Sequence, residues 1–95
     1  MSIFTANYLF RELLRDHAFR AAMKADPAKA LAGKDLTDEE RSAILAGDVG
    51  RLFRMGANAF LMAYMARYEI AGLNVASYND RMRAEKIDAQ GRPAA

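Results

Sequence analysis

The sequence contains no cysteine, no tryptophan and a single histidine, His17. Without cysteine, the chain has no disulfide framework, no thiolate nucleophile and no thiolate metal ligand. With one histidine it cannot build an iron site of two histidines and a carboxylate. A general-base role for His17 would need an orienting partner, and adjacent helix positions such as Asp16 do not face it. We therefore predict no catalytic residue and no metal site in this chain, and interpret His17 as a boundary residue of a helix.

Long apolar runs and clustered charge of one sign are also missing. Fourteen basic and twelve acidic residues are mixed along the chain, for a net charge of +2. The N-terminal segment lacks the pattern of a secretory signal, and no apolar run reaches the roughly 20 residues of a membrane span. The densest basic segment, residues 81–86, is interrupted and flanked by acids, which favours a solvated surface over a nucleic-acid groove. We expect a cytoplasmic protein that binds neither membrane nor nucleic acid.

The local signals that are present are all helical. Thr5 predicts the N-cap of a first helix that runs to about Ala25. The Asp26-Pro27 pair predicts the end of that helix and the start of a short second one, because proline suits a first helical position. Gly33 is a natural left-handed terminator of this second helix.

A second group of signals lies in the middle of the chain. Thr37 followed by Glu40 has the spacing of a capping box, in which each side chain accepts a hydrogen bond from the other residue's amide. Gly47 predicts the end of this helix, and Asp48 predicts the cap of the next one.

The most apolar stretch is GANAFLMAYMA, residues 56–66. We predict that it belongs to one long apolar helix over about residues 49–71, followed by a loop over residues 73–78. The predicted fold is an all-α, small irregular helical bundle with this long helix and shorter capped helices around it. No run of residues alternates in the manner of a strand. We expect a helical domain over residues 1–78 and a polar tail over residues 79–95.

A helix that is apolar all round must be buried on more than one side. It is either the central core helix of the bundle or a helix with one side in the core and one side against another protein. We favour the second interpretation, since methionine and aromatic side chains are suited to interfaces. The predicted subunit-interface residues are Phe53, Tyr64, Met65 and Tyr68.

Residues 36–65 resemble the small (alpha, LigA-like) subunit of class III extradiol ring-cleavage dioxygenases of the protocatechuate 4,5-dioxygenase type. Residues 19–27 fit the same pattern more loosely, and the resemblance covers about residues 5–78. The residues that carry it are Leu36, Thr37, Glu40, Ala43, Leu45, Asp48, Leu52, Gly56 and Asn58.

The resemblance implies a division of labour between two chains. The large catalytic subunit would hold Fe(II) and the catalytic residues, while this chain would carry no cofactor and cap the active site of a hetero-oligomer. The substrate would be an aromatic diol or an aminophenol, opened by O₂ in the catabolism of aromatic compounds. The family's small subunit also contributes a loop to the substrate pocket, for which the nearest match here is Leu73, Asn74 and Val75.

Two alternatives remain open. LigA-like helical domains also resemble the recognition domains of precursor peptides that modifying enzymes act upon, in which the C-terminal tail is the substrate. The tail here, IDAQGRPAA, has neither cysteines nor a serine/threonine cluster. The third possibility is a stand-alone helical module that binds a regulatory partner.

Overall fold

Residues 2–85 are described by the structure, a computed structural model, and they form seven α-helices and one 3₁₀ turn. No strand occurs in this range, so the prediction of an all-α bundle is confirmed. Residues 86–95, the greater part of the predicted tail, lie outside the described residues. The elements are α1 (Ser2–Arg15), α2 (His17–Ala25), α3 (Pro27–Leu31), α4 (Asp38–Ala46), α5 (Val49–Arg54), α6 (Ala59–Arg67), the 3₁₀ turn Ile70–Gly72 and α7 (Val75–Arg83).

The first predicted helix is two helices, and the prediction of one helix from Thr5 to Ala25 is wrong. Thr5 is not its N-cap either, because α1 already begins at Ser2. Asp16 interrupts it with an extended backbone at φ −109° and ψ 99°. Its carboxylate accepts a hydrogen bond from the Phe19 N–H at 3.0 Å and caps α2. Aspartate competes with helical backbone bonds in this way, and the cap it makes offsets the break in the helix.

The predicted caps in the middle of the chain are confirmed. The Thr37 N–H donates to Glu40 Oε1 at 2.9 Å, and the Glu40 N–H donates to Thr37 Oγ1 at 3.1 Å, which completes the capping box. Gly47 ends α4 in the left-handed region at φ +66°. The Asp48 carboxylate then accepts from the Arg51 N–H at 3.2 Å and starts α5.

The corner between α2 and α3 also follows the prediction. Pro27 is the first residue of α3, and the Asp26 carboxylate accepts a hydrogen bond from the Lys29 N–H at 3.2 Å. Gly33, beyond the end of α3, has φ +79°.

The long helix predicted over residues 49–71 is wrong. The chain leaves the helical conformation after α5, and Gly56 has φ +106°, a value that side chains disfavour. Asn58 then caps α6 by accepting from the Leu61 N–H at 3.1 Å. The Asn58 N–H itself donates to Asn7 Oδ1 on α1 at 2.8 Å, so a contact distant in sequence satisfies the backbone at the break.

A second break follows α6. Glu69 and Ala71 are both left-handed at φ 55°, and Gly72 follows at φ +76°. The loop predicted over residues 73–78 is wrong beyond its first two residues, because α7 begins at Val75 and continues to Arg83. This helix crosses the domain boundary predicted at residue 78.

The two breaks allow the most apolar stretch to bury most of its own surface. The core combines the inner sides of α1, α4, α5 and α6 with single residues of α2, α3 and the turn after α6. Glu40 is the one charged side chain that is buried in the described range, and the capping box satisfies it. The largest fully buried side chains are Phe10, Leu13, Leu31, Ile44, Leu52, Met62, Met65, Ile70, Leu73 and Val49. Across residues 2–85, no helix combines the length and the apolar character that crossing a membrane would require.

The left-handed turn after α6 gives a test of the backbone path. For a residue other than glycine, this conformation costs about 1–2 kcal/mol. Glycine avoids that cost, but it loses more conformational entropy on folding, which offsets part of the gain. We expect Ala71→Gly to leave the free energy of unfolding unchanged or raise it by up to about 1 kcal/mol. Ala22→Gly, in the interior of α2, is the matched control and should lower it by about 1 kcal/mol.

Urea unfolding followed by circular dichroism measures both variants. An equal loss of stability in the two would show that residue 71 is not left-handed.

Candidate functional surface

The four predicted interface residues do not share one surface. Phe53 on α5 is 5% exposed and Met65 on α6 is fully buried, so both side chains belong to the core of this chain. Tyr64 and Tyr68 are half-buried and retain surface on the outer side of α6 and at its C-terminal end. Their expected common side depended on a continuous helix, which the break at Gly56 removes.

The outer side of α6 is aromatic at its start and cationic at its end. Phe60 is 77% exposed, and its ring meets that of Tyr64 edge to face with a centroid separation of 6.5 Å. Two turns further on, the guanidinium of Arg67 lies 5.7 Å from the centre of the Tyr68 ring. The guanidinium of Arg20, on α2, lies 4.3 Å from the same ring centre.

A second pair of exposed aromatic side chains lies on α1. Phe4 is 70% exposed and Tyr8 is 59% exposed, one helical turn apart. They lie on the side of α1 that faces away from the core, as the helical spacing requires when the opposite side is buried. The buried residues of α1 are Ile3, Ala6, Leu9, Phe10 and Leu13.

Phe4, Tyr8 and Phe60 were not among the predicted interface residues. A signal was available for the first two, because they recur four residues apart on the side of α1 opposite Ile3 and Leu13. Phe60 gave no such signal, because its orientation depends on where α6 begins. At that position Asn58 caps the helix through Leu61 and contacts Asn7 of α1.

The three residues predicted to line a substrate pocket have three different environments. Leu73 is 1% exposed and belongs to the core. Asn74 caps α7, with its Oδ1 accepting from the Ser77 N–H at 2.8 Å and its own N–H donating to Ser77 Oγ at 3.0 Å. Val75 is 59% exposed. Of the three, Val75 presents apolar surface to an incoming molecule.

Helix α7 has no fully buried residue, but Tyr78 and Met82 pack partly against the core, and polar ends of long side chains add further contacts. The Tyr78 hydroxyl donates to the Ala59 carbonyl at 2.7 Å, and the Arg81 guanidinium donates to the Gly47 carbonyl. Beyond the helix, both carboxylate oxygens of Glu85 lie 2.7 Å from Arg54 Nη1. Burial raises the pKa of the Tyr78 hydroxyl above its ordinary value of 10.0. The position of Val75, at the start of α7, therefore depends on this set of polar contacts.

The other features of the described residues offer little chemistry. His17 is the exposed first residue of α2. Within residues 2–85, no three histidine, cysteine, aspartate or glutamate side chains converge as a metal site requires. An open groove of about 500 Å³ separates α2 from α3 and is lined by Ala22, Ala25, Asp26, Lys29 and Ala30.

The structure thus defines a small helical domain with exposed aromatic pairs on α1 and α6. A family model described as the LigA subunit of the aromatic-ring-opening dioxygenase LigAB matches residues 7–89. The chain therefore belongs to the LigA subunit family of aromatic-ring-opening dioxygenases, and the resemblance seen in the sequence is confirmed. No curated protein and no solved structure matches the chain.

The attachment of α7 can be tested through Tyr78. Tyr78→Phe removes the hydrogen bond to Ala59 and should lower the free energy of unfolding by about 1 kcal/mol at neutral pH. Burial raises the folded-state pKa of Tyr78. The protonated hydroxyl therefore makes its full contribution to the free energy of unfolding below about pH 10, and this contribution is lost as the pH rises through the folded-state pKa. The difference between wild type and variant should therefore shrink above pH 10.

Chemical unfolding between pH 7 and pH 11 provides the measurement. Tyr8→Phe, on an exposed ring of α1, is the control and should follow the wild-type curve. A constant difference between wild type and Tyr78→Phe over the whole pH range would contradict the expected effect.

Proposed function

We propose that this chain is the non-catalytic small subunit of an extradiol aromatic-ring-opening dioxygenase. In this proposal it caps the active site of an iron-bearing large subunit in the cytoplasmic catabolism of catechol-type aromatics. The observation that carries the proposal is the LigA family match over residues 7–89. The exposed ring of Phe60 on α6 supports it, since aromatic residues are enriched in the buried cores of protein interfaces.

Among residues 2–85, no cluster of side chains fits iron. Iron sites in proteins converge several histidine, carboxylate or cysteine ligands, whereas His17 is the sole histidine and lies exposed at the start of α2. No step of ring opening is therefore assigned to this chain. Iron, O₂ and the catalytic residues belong to the large subunit in this proposal.

The contribution of the small subunit to the substrate pocket is assigned to the start of α7. Val75 offers an exposed apolar side chain, while Leu73 anchors the turn in the core and Asn74 caps the helix. Val75 would contact the ring substrate, and Leu73 and Asn74 would hold it in position. The proposed substrate class is an aromatic diol or an aminophenol, which is consistent with the ring opening of an aromatic compound that the family carries out.

Co-expression tests the division of labour. The chain is expressed alone and together with a large, LigB-type dioxygenase subunit, and both preparations are analysed for iron and for O₂ uptake with catechols and aminophenols. We expect the two chains to co-purify, with iron and ring cleavage in the complex and neither in the chain alone.

Ring cleavage by the isolated chain would overturn the assignment. Co-purification with a peptide-modifying enzyme, in place of a dioxygenase subunit, would favour the precursor-peptide alternative.

A second test concerns the pocket. Val75→Ala in the complex should change the ratio of kcat/KM between a small and a bulkier ring substrate by about 10-fold, the range expected for removing one or two methyl groups from an apolar contact. Affinity between the subunits should stay the same. Arg83→Gln, at the other end of α7, is the control. A selectivity that is the same in wild type, Val75→Ala and the control would exclude Val75 from the pocket.

A further inference from the structure

The outer side of α6 carries a continuous set of residues that the fold leaves exposed or only half-buried. We define it as the α6 face: Phe60, Tyr64, Arg67 and Tyr68, together with Arg20 of α2. The α6 members recur at spacings of three and four residues, so they lie on one side of the helix. Met62, Met65 and Ala66 on the opposite side are buried in the core.

The start of this face is apolar. Phe60 is 77% exposed, so it leaves roughly 150 Å² of its surface in water if a full ring side chain offers about 200 Å². Its one aromatic neighbour in the described range is Tyr64, which it meets edge to face. A phenylalanine held this far out of the core stabilises the isolated chain little, so its surface is available to a partner.

The other end of the face is cationic. Arg20 and Arg67 both lie against the ring of Tyr68, which fixes two positive charges near one phenol. The ion pairs found among residues 3–85 join other groups: Arg51 with Glu39, Arg54 with Glu85, and Arg83 with Asp80. Neither guanidinium of the α6 face has a carboxylate of this range at ion-pair distance.

The α6 face also adjoins the proposed pocket residue. The Tyr78 hydroxyl of α7 donates to the carbonyl of Ala59, the residue before Phe60. Val75 lies one turn before Tyr78 on the same helix. A partner that covers Phe60 is thereby brought beside the start of α7.

We propose that the α6 face is the docking surface for the large subunit, which presents an apolar pocket to Phe60 and carboxylates to Arg20 and Arg67. This inference rests on the proposed function and names the surface that would serve it. Charge argues against a second copy packed face to face, since its α6 face would bring the same two cations and no acidic residue. Opposite charges across an interface favour association and like charges oppose it.

Binding of purified variants to the large subunit tests the proposal. We expect Phe60→Ala to raise the Kd at least about 30-fold, the size of an interface hot spot, without changing the melting temperature of the isolated chain. The double variant Arg20→Gln/Arg67→Gln should raise the Kd about 10-fold at low salt and make it less dependent on salt concentration.

Matched controls come from α1. Phe4→Ala removes a ring of similar exposure, and Arg15→Gln removes an exposed cation, both outside the α6 face. Each control should keep the Kd within about 3-fold of wild type, a change too small to mark a hot spot.

Three results would overturn the inference while leaving the proposed function intact. The first is a Kd for Phe60→Ala and for the double arginine variant that equals the wild-type value. The second is an equal loss of affinity in the α1 controls. The third is self-association of the wild-type chain that Phe60→Ala abolishes without affecting the large subunit, which would make a second copy the occupant. A wild-type chain that does not bind the large subunit at all would instead overturn the proposed function and the docking surface with it.

Discussion

The rest of the structure depends on the break between α5 and α6. A hydrogen bond from the Asn58 amide to the Asn7 side chain stabilises this break. It joins α1 to the start of α6 at 2.8 Å, beside Gly56 in its left-handed conformation. An unbroken helix over this segment would be apolar on every side, and such a helix must be buried on more than one side. The break turns one such helix into two, each with a side in the core.

This division explains the surface as well as the core. Once α6 starts at Ala59, Met62 and Met65 point inward, and Phe60 and Tyr64 lie on the outer side. The end of α6 is followed by left-handed residues at 69, 71 and 72, which redirect the chain into α7. Left-handed residues other than glycine carry a conformational cost that the buried anchors Ile70 and Leu73 offset. The outer side of α6 and the start of α7 are therefore oriented by the same two breaks.

Membership of the LigA family suggests what these surfaces bind. The family is the LigA subunit of a ring-opening dioxygenase, and the proposed role of this chain is to bind a catalytic partner. Its exposed aromatic rings and the two cations around Tyr68 suit recognition of a protein surface. Helix α7, held by Tyr78, Arg81 and the neighbouring Glu85, sets the position of Val75 relative to that surface.

The sequence by itself determined the helical class, the family resemblance and the caps of α3, α4 and α5, because a cap such as Thr37 with Glu40 is satisfied within four residues. The break at Asp16, the split of the long helix and the start of α7 were not anticipated. Asp16 and Asn74 do make local caps, but the same residues also occur inside helices and loops, so local pattern alone did not decide between them. The orientation of Phe60 and the burial of Phe53 and Met65 were decided by tertiary structure alone. A hydrogen bond from α1, some fifty residues away, joins the local Asn58 cap at the start of α6, and short-range spacing carries no information about that contact.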